Sequence, residues 1–520
     1  MVYIIIGAAV VIGYFLLDFF ISLPHDLKEP QLIPPGIPFL GHIIGMIRDG
    51  SGYYEKITKQ YDLPIYTLGV PRSKIYIVTS PNLISLIDRR SRTISFAPYV
   101  VQFAKRILIP SQHGLDALGE DLLEENGPVG LRPETLKVMH HSLSPGKDLQ
   151  AITQVMLKSV TSLLHSAEID KEEGTKLFEM TRKIVTQAST DAIYGAEQNP
   201  FQDPIVHHGF WAIDKDFAFL GLNVLSGLIA PKGRRGRKVL FDAMGKYYAA
   251  GGHETASRLI QARYEVNRKY GVSQSDIEHF DLSVCYGLLV NTVPSTSWAI
   301  YYLYSDPSLL QDVRSKVEEL IGMPEAKDED NNHAITVNIP EVIAGYPLLS
   351  SFVQEVLRVQ STNASGRVVL EDTLIQDEYL LKKDSILLVP SAELHSSKSA
   401  WGPTASTFDP KRFLLHTQAR SKNKVPASAY RAFGSGASVC PGRHFAANEI
   451  LTILIMMVLR YDVTPVAGQW KMPRTKSHIT TSILTPVEDV RVHVKVREEM
   501  EKIEWRFVWE AEKGTEKAIE

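Results

Sequence analysis

The most constraining feature of this sequence is the segment FGSGASVCPGR at 433–443, which contains Cys440. Gly434 and Gly436 permit a tight turn and a close approach of the backbone to a flat partner. Pro441 fixes φ at the start of the helix that is predicted to follow, where its missing N–H costs little. Cys440 is therefore expected just before a helix N-terminus, whose dipole and free N–H groups stabilise a thiolate. A buried structural cysteine in a glycine turn is the alternative.

The composition limits the classes of protein to be considered. The chain has 520 residues, of which 44% are hydrophobic, so it can bury a large core. A formal net charge of -3 gives no indication of a nucleic-acid partner. The two cysteines, Cys285 and Cys440, do not make a disulfide framework, and they exclude a four-cysteine zinc site. A reducing compartment is therefore expected.

The N-terminus is apolar from Val2 to Leu23 except for Asp18 and Ser22. As a helix this run would span roughly 33 Å, enough to cross the hydrocarbon core of a bilayer. We therefore predict a single-pass membrane protein with its transmembrane anchor at residues 1–23. A cleaved signal peptide is the alternative, but it requires a basic region before the apolar run, and Lys28 is the first lysine or arginine.

After the anchor, the sequence divides into a hinge, a body and a tail. Residues 24–45 carry clustered prolines, which fix φ and favour a stiff, extended linker. Residues 46–500 are expected to form one catalytic domain, and residues 501–520 a charged tail that is helical in part. Within the body, apolar spacing predicts mostly α structure with small β-sheets. The clearest predicted elements are helices at 152–164, 281–304, 348–359 and 445–459, and strands at 76–80 and within 367–390.

The cysteine loop resembles the heme-binding loop of the cytochrome P-450 family, which has the pattern Phe-x-x-Gly-x-x-x-Cys-x-Gly. Phe433, Gly436, Cys440 and Gly442 match that pattern. Two further motifs occur in the family's order, although each alone is also consistent with solvated surface charges.

The first of these motifs is Glu355-Val-Leu-Arg358, in which the spacing i, i+3 places both charged side chains on one helical face. The second is the segment 408–413, which is similar to the family segment that supplies an arginine, here Arg412, to that pair.

The resemblance implies a cytochrome P-450 fold that binds heme b and activates O₂. It implies Cys440 as the metal ligand. It also implies an NADPH-cytochrome reductase as electron donor, and a catalytic domain on the cytosolic face of the endoplasmic reticulum. The implied cofactor-binding residues are Phe433, Gly434, Gly436, Cys440, Gly442, Arg367, Glu355, Arg358 and Arg412.

This sequence departs from the family pattern in the cysteine loop. Most members have an arginine or histidine two residues before the cysteine, on a heme propionate, but here that residue is Ser438. Arg367, in the strand expected after the Glu355 helix, is the candidate replacement. A surface charge is the alternative for Arg367, since most arginines are exposed.

A second departure lies in the long central helix. Where most members have an acid followed by a threonine for proton delivery, this sequence has Val290 and Asn291. Asn291-Thr292-x-Pro294, together with Ser438, resembles the subgroup of sterol 7α- and 12α-hydroxylases and prostacyclin synthase.

Asn291, Thr292 and Pro294 are therefore the candidate catalytic residues. Pro294 has no N–H and clashes with the carbonyl of Val290, so a kink could expose that carbonyl beside Asn291 to a water or a substrate oxygen. A helix that only bends around its neighbours is the alternative.

The resemblance also indicates which segments form the roof of a substrate pocket: 99–103, 217–225, the central helix and 479–483. These segments are mostly apolar, so a lipophilic substrate is expected. The favoured function is a monooxygenase that acts on a sterol- or terpenoid-like molecule. A reductase-independent isomerase or dehydratase and a non-catalytic heme-binding sensor are the alternatives.

Overall fold

The computed structural model describes residues 24–37, 40–120, 127, 129–166, 173–222, 226–322, 334–414, 425–477 and 480–510. The predicted anchor at 1–23 and the end of the predicted tail at 511–520 lie outside these ranges. Among the described residues, no helix has both the length and the apolar character needed to span a membrane.

The described part of the chain is mostly helical, with small sheets, as the apolar spacing predicted. The helices of its first half are α1 (Gly41–Asp49), α2 (Ser51–Tyr61), α3 (Pro81–Asp88), α4 (Ala97–Phe103), α5 (Gln112–Gly119), α6 (Leu131–Leu143), α7 (Lys147–Ser166), α8 (Leu177–Tyr194), α9 (Pro204–Lys215), α10 (Phe217–Leu222), α11 (Ser226–Ile229) and α12 (Pro231–Ala249).

The helices of the second half surround the cysteine loop. They are α13 (Arg258–Lys269), α14 (Gln274–Leu289), α15 (Thr292–Tyr304), α16 (Pro307–Leu320), α17 (Ile339–Gly345), α18 (Leu348–Gln360), α19 (Ser391–His395), α20 (Lys398–Trp401) and α21 (Arg443–Arg460). The predicted helices at 152–164, 348–359 and 445–459 lie within α7, α18 and α21.

The main sheet has six strands in the order β1-β2-β3-β10-β7-β4. Its strands are β1 (Leu32–Ile33), β2 (Ile65–Val70), β3 (Ser73–Val78), β4 (Ile94–Ser95), β7 (Ala364–Val369) and β10 (Ile386–Pro390). A three-stranded sheet joins β11 (Tyr461–Pro465), β14 (Arg491–Val496) and β5 (Thr175–Lys176). Strand pairs are formed by β8 (Thr373–Ile375) with β9 (Tyr379–Leu381), β12 (Thr475–Lys476) with β13 (Thr485–Pro486), and β6 (Ala334–Asn338) with β15 (Glu504–Val508).

The central helix is two helices rather than the single one expected over 281–304. Helix α14 ends at Leu289 and α15 begins at Thr292. Pro294 explains the break, because it offers no N–H to the carbonyl of Val290. The carbonyl of Asn291 is satisfied instead by Ser295, whose N and Oγ lie 3.1 and 2.7 Å away. Helix α15 is buried and packs against α8, α18 and α21.

The segment expected to be a stiff, extended hinge is attached to the main sheet. Strand β1 pairs in parallel with β2, and α1 begins within the same stretch. The carboxylate of Glu29 is buried and accepts hydrogen bonds from Lys74 Nζ at 2.6 Å and from the Tyr76 hydroxyl at 2.7 Å. The prolines favour an extended backbone here. The pairing of β1 with β2 and the buried hydrogen bonds of Glu29 hold this backbone against the catalytic domain.

The tail contains a strand where a partly helical segment was expected. Strand β15 pairs in parallel with β6, from Glu504 opposite Ala334 to Val508 opposite Asn338. Trp505 is buried, and its ring stacks on that of Phe507 at 5.8 Å. The packing of these two aromatic side chains favours a strand at 504–508, although the charged composition of the tail favours a helix.

Candidate active site

A cavity of about 1380 Å³ lies between α4, α6, α14, α15, β7 and the cysteine loop, residues 433–443. Small-molecule sites usually have about 300–1000 Å³, so this space is large enough for a planar cofactor together with a substrate. Cys440, Arg367 and Asn291 all line it. Arg132, a cationic side chain in α6 that the sequence patterns did not single out, also lines it.

Only some residues of the segments that were expected to roof the substrate pocket line the cavity. Val100 and Phe103 of α4 line the cavity, as do residues 480–483. Of the segment 217–225, Ala218 lines it, while Phe217 stacks on Phe103 from behind with ring centroids 6.0 Å apart. Residues 223–225 and 479 lie outside the described ranges.

Gly434 and Gly436 of the cysteine loop are both required by its backbone. Gly434 has φ 73°, and a Cβ there would lie 2.8 Å from the carbonyl oxygen of Ser438. Gly436 has φ 59°, and its Cβ would lie 3.1 Å from the Cβ of Asp88. Among protein atoms, the close approach at Gly436 is therefore to Asp88. These turns bring the N–H of Cys440 to 2.8 Å from the carbonyl of Phe433.

Cys440 lies just before the N-terminus of α21, as the sequence predicted. Burial raises the pKa of its thiol, whereas hydrogen bonds from the N–H groups of Gly442 and Arg443 lower it. The helix N-terminus thus stabilises the thiolate, but in the chain alone the burial effect is larger. A Cβ on Gly442 would lie 3.8 Å from the sulfur.

Glu355, Arg358 and Arg412 form one buried charge network. The carboxylate of Glu355 accepts from Arg358 Nε at 2.7 Å and from Arg412 Nε at 3.0 Å, and Glu355 is 0% exposed. Nη1 and Nη2 of Arg358 and Nη2 of Arg412 also donate to backbone carbonyls of residues 395–407. None of the three is among the described residues that line the cavity. Their contacts therefore hold the backbone around the site, rather than touching a group inside the cavity.

His395 connects this network to the cysteine loop. Its Nδ1 lies 2.9 Å from the carbonyl of Arg358, and its Nε2 accepts from the N–H of Arg431 at 2.9 Å. Burial lowers the pKa of His395 to about 3, so the ring is neutral and donates through Nδ1–H. Sequence reasoning missed His395, because an isolated histidine in a short helix has no recognisable pattern.

Arg367 lies in β7 beside the cysteine loop, and it is buried rather than on the surface. Its Nη2 is 2.6 Å from Asp88 Oδ1 and 3.3 Å from Ser438 Oγ. Its Nη1 is buried and has no hydrogen-bond partner among the described residues. A second buried arginine, Arg431, lies on the other side of Asp88. Asp88 and Arg431 were both missed, since their contact joins positions far apart in the sequence.

Asn291 lines the cavity, and residues 481–482 hold its amide oxygen. Its Oδ1 accepts from the N–H of Ser482 at 2.7 Å and from Thr481 Oγ1 at 3.1 Å. The oxygen is therefore engaged, and Nδ2 has no partner in the described part of the chain. The hydroxyl of Thr292 is turned back to the Leu288 carbonyl at 2.8 Å, so it is not offered as a donor.

Pro294 and Val290 act on the backbone instead of lining the site. Both are buried, and neither is among the described residues that line the cavity. Of the Val290–Asn291 pair, only Asn291 is among the described residues that line the cavity, and their joint contact with a bound group stays a prediction. Pro294 contributes by ending the hydrogen-bond ladder of α14, which turns Asn291 toward residues 481–482.

The family model described as Cytochrome P450 matches residues 32–493. This chain belongs to the cytochrome P450 family. It is 34% identical over 489 residues to "Cytochrome P450 monooxygenase nodJ" of Hypoxylon pulicicidum, covering 93% of this chain and 92% of that protein. It is 28% identical over 524 residues to "Cytochrome P450 monooxygenase" of Gibberella zeae, covering 97% and 96%. It is 24% identical over 519 residues to the 7-alpha-hydroxycholest-4-en-3-one 12-alpha-hydroxylase of Homo sapiens, covering 95% and 98%.

The chain is thus an enzyme of the cytochrome P450 monooxygenase class, a family that binds heme through a cysteine thiolate. The residues present fit such a group. Cys440 and Gly287 of α14 both line the cavity, and Gly287 leaves open space, since a Cβ there would meet nothing within 4 Å. The unpaired Nη1 of Arg367 suits an anionic substituent.

Proposed function

We propose that this cytochrome P450 is a monooxygenase that oxidises a lipophilic, sterol- or terpenoid-like substrate, with electrons from an NADPH-dependent reductase. The observation that carries the proposal is the single cavity that Cys440 and Asn291 both line. It has apolar walls from Phe103, Leu288 and Ile483, which favour a lipophilic molecule. The 12-alpha-hydroxylase among the relatives supports a sterol-like substrate class.

In this proposal the thiolate of Cys440 would hold heme b through its iron. The bound heme supplies a thiolate-ligated iron that activates O₂ and favours O–O cleavage. Phe433 fixes the loop through its carbonyl bond to the N–H of Cys440, and Gly434 and Gly436 permit the turn. Arg367 holds a propionate through its unpaired N–H groups.

The charge network of Glu355, Arg358 and Arg412 supports the site from outside. It fixes the backbone of residues 395–407. His395 lies in this segment and accepts a hydrogen bond from the N–H of Arg431, which connects the segment to the chain just before the cysteine loop. Such residues position the metal-binding loop without touching the bound group.

Asn291 is one of the polar groups that line the cavity. Because its oxygen is held by Ser482, its N–H can donate to an acceptor oxygen of a water or of the substrate. The acid–alcohol pair of most family members is absent, since Val290 is apolar and does not line the cavity, and the Thr292 hydroxyl is engaged. A water held by Asn291 then carries protons, or Asn291 orients the substrate directly.

The test uses the full chain with its heme. Reduced protein treated with CO should show the thiolate-type absorption, and Cys440→Ala should abolish it, whereas Cys285→Ala, at the buried second cysteine, should not. Lipophilic metabolites should then be screened for the spectral shift that follows displacement of the iron-bound water.

Turnover on a binding metabolite should require both NADPH and the reductase. Full turnover of an oxygenated substrate without reductase or peroxide would contradict the monooxygenase and support an isomerase. A thiolate-type spectrum in Cys440→Ala would contradict the assignment of the ligand.

We further propose that residues 1–23 anchor the protein in the membrane, with residues 46–500 as one catalytic domain at its cytosolic face. The support is the apolar length of the segment, together with strand β1, which attaches the following chain to the main sheet. In this arrangement the buried Glu29–Lys74 pair fixes the catalytic domain close to the point where the chain leaves the membrane.

A further inference from the structure

Two buried arginines share one carboxylate beside the cysteine loop. Arg367 is 4% exposed and Arg431 is 0% exposed. Asp88 lies between them, with Oδ1 at 2.6 Å from Arg367 Nη2 and Oδ2 at 3.2 Å from Arg431 Nη1. No other carboxylate contacts either guanidinium in the described part of the chain. The group therefore carries one uncompensated positive charge in the interior.

The two guanidinium groups also retain unused donors. Nη1 of Arg367, and Nε and Nη2 of Arg431, are buried without hydrogen-bond partners among the described residues. A buried charge is stable only when it is paired and hydrogen-bonded. The net charge therefore calls for one further anion, and an anion in the cavity can accept the free donor of Arg367, which lines it.

The cysteine loop leaves space at this position. Ser438 Oγ lies 3.3 Å from Arg367 Nη2 and donates to the carbonyl of Ser435 at 3.0 Å. The Ser435 hydroxyl donates to Asp88 and accepts from Arg431 Nη1. Two small hydroxyl side chains thus connect the loop to both arginines and to the carboxylate, at the place where most family members have a bulky cation two residues before the cysteine.

We propose that Arg431 replaces the cation missing at Ser438 and that, together with Arg367 and Asp88, it forms a site for one heme propionate. Arg367 and Asp88 line the cavity, whereas Arg431 does not. Arg367 therefore contacts the propionate, and Arg431 is a positioning residue that acts through Asp88 and Ser435. The charges then sum to zero: two guanidinium groups, one aspartate and one propionate. This inference rests on the proposed heme-thiolate function.

The experiment compares heme transfer to apomyoglobin with the reduction midpoint potential of the holoprotein. Arg431→Met removes a buried positive charge, so the reduced iron is less stabilised and the midpoint potential should become more negative. Heme loss should accelerate about tenfold or more, as expected for hydrogen bonds to charged groups. Asp88→Asn removes the compensating negative charge and should shift the potential in the opposite direction. A merely structural role would not produce opposite shifts.

Arg431→Lys serves as the matched control, because it keeps the charge and should keep the potential even where stability falls. Ser438→Arg combined with Arg431→Met returns a cation to the position used by most family members and should restore both measurements.

An Arg431→Met holoprotein with unchanged potential and unchanged heme loss would overturn the inference, and so would shifts of the same sign in Arg431→Met and Asp88→Asn. A wild-type protein without a thiolate-type spectrum would instead refute the proposed function.

Discussion

A carboxyl group buried behind the cysteine loop should make the stability of this enzyme fall as the pH rises. Glu449, in α21, is 0% exposed. The Ser189 hydroxyl of α8 donates to it, with Oγ 2.8 and 2.7 Å from the two carboxyl oxygens. Burial disfavours the carboxylate and raises the pKa of Glu449 to about 8, against which the Ser189 hydrogen bond acts only weakly.

The magnitude follows from proton linkage. Below pH 4.5, the ordinary pKa of glutamate, both the folded and the unfolded state carry the proton, and the native state has its full stability. Between that pH and about 8 the unfolded chain releases the proton and the folded chain keeps it. The free energy of unfolding then falls by about 1.4 kcal/mol per pH unit, or about 5 kcal/mol in total. Above pH 8 the folded state also releases the proton, and the loss levels off.

Glu449→Gln tests this reasoning, because the amide keeps the shape of the carboxyl group and is neutral at every pH. Thermal midpoints of variant and wild-type holoprotein should be similar at pH 5. The variant should be more stable at pH 8.5, and the difference should increase continuously between these values. Other titrating groups cancel in the comparison, since they are common to both proteins.

Ser189→Ala is the matched control. It removes the hydrogen bond but leaves a titratable carboxyl group, so the protein should be less stable and still lose stability as the pH rises. A difference between Glu449→Gln and wild type that is the same at pH 5 and pH 8.5 would refute the reasoning.

Three further predictions concern the site and the anchor. Glu355→Ala leaves buried arginines unpaired at a cost of about 3–5 kcal/mol, so little heme-loaded protein should form; normal heme content and thermal stability would contradict the network. If Asn291 holds a water, Asn291→Ala should lower the amount of product formed per NADPH. If Asn291 holds the substrate, the variant should have a lower substrate affinity. No change in either quantity would contradict a role for Asn291 in the site. Deleting residues 1–23 should weaken membrane association with heme binding intact, whereas a secreted form without them would show a cleaved signal peptide.

The sequence predicted best those features that repeat along the chain. Helices α7, α18 and α21 were predicted because their apolar residues recur over several turns, as in a helix packed against a core. The tail was predicted less well, although Trp505 and Phe507 alternate as in a strand. A strand needs a partner, and the partner, β6, is remote in the sequence. The charged composition of the tail therefore led to the prediction of a helix, although the short alternation of aromatic residues indicated a strand.

For the central helix, the sequence predicted a lost hydrogen bond but not the end of one helix and the start of another. Pro294 indicated the missing hydrogen bond at Val290, but a proline can bend a helix without ending it. The outcome depends on residues 481–482, whose N–H and hydroxyl groups hold the Asn291 oxygen from a distant part of the chain. Such a contact requires the tertiary structure, and it decides which end of the Asn291 amide is engaged.

Two groups of charged residues together support the cysteine loop: the Glu355–Arg358–Arg412 network, and Asp88 with its two arginines. The carbonyl of Arg358 accepts from the neutral ring of His395, and the same ring accepts from the backbone N–H of Arg431. The side chain of Arg431 then reaches Asp88, which binds Arg367 at the wall of the cavity. The i, i+3 spacing that pointed to the Glu355–Arg358 pair is a sequence motif, whereas Asp88 and Arg431 are isolated residues with no such spacing. A disturbance of the Glu355–Arg358–Arg412 network should therefore reach Arg367 at the wall of the cavity through His395, because the links between them are buried or partly buried and little solvent can replace them.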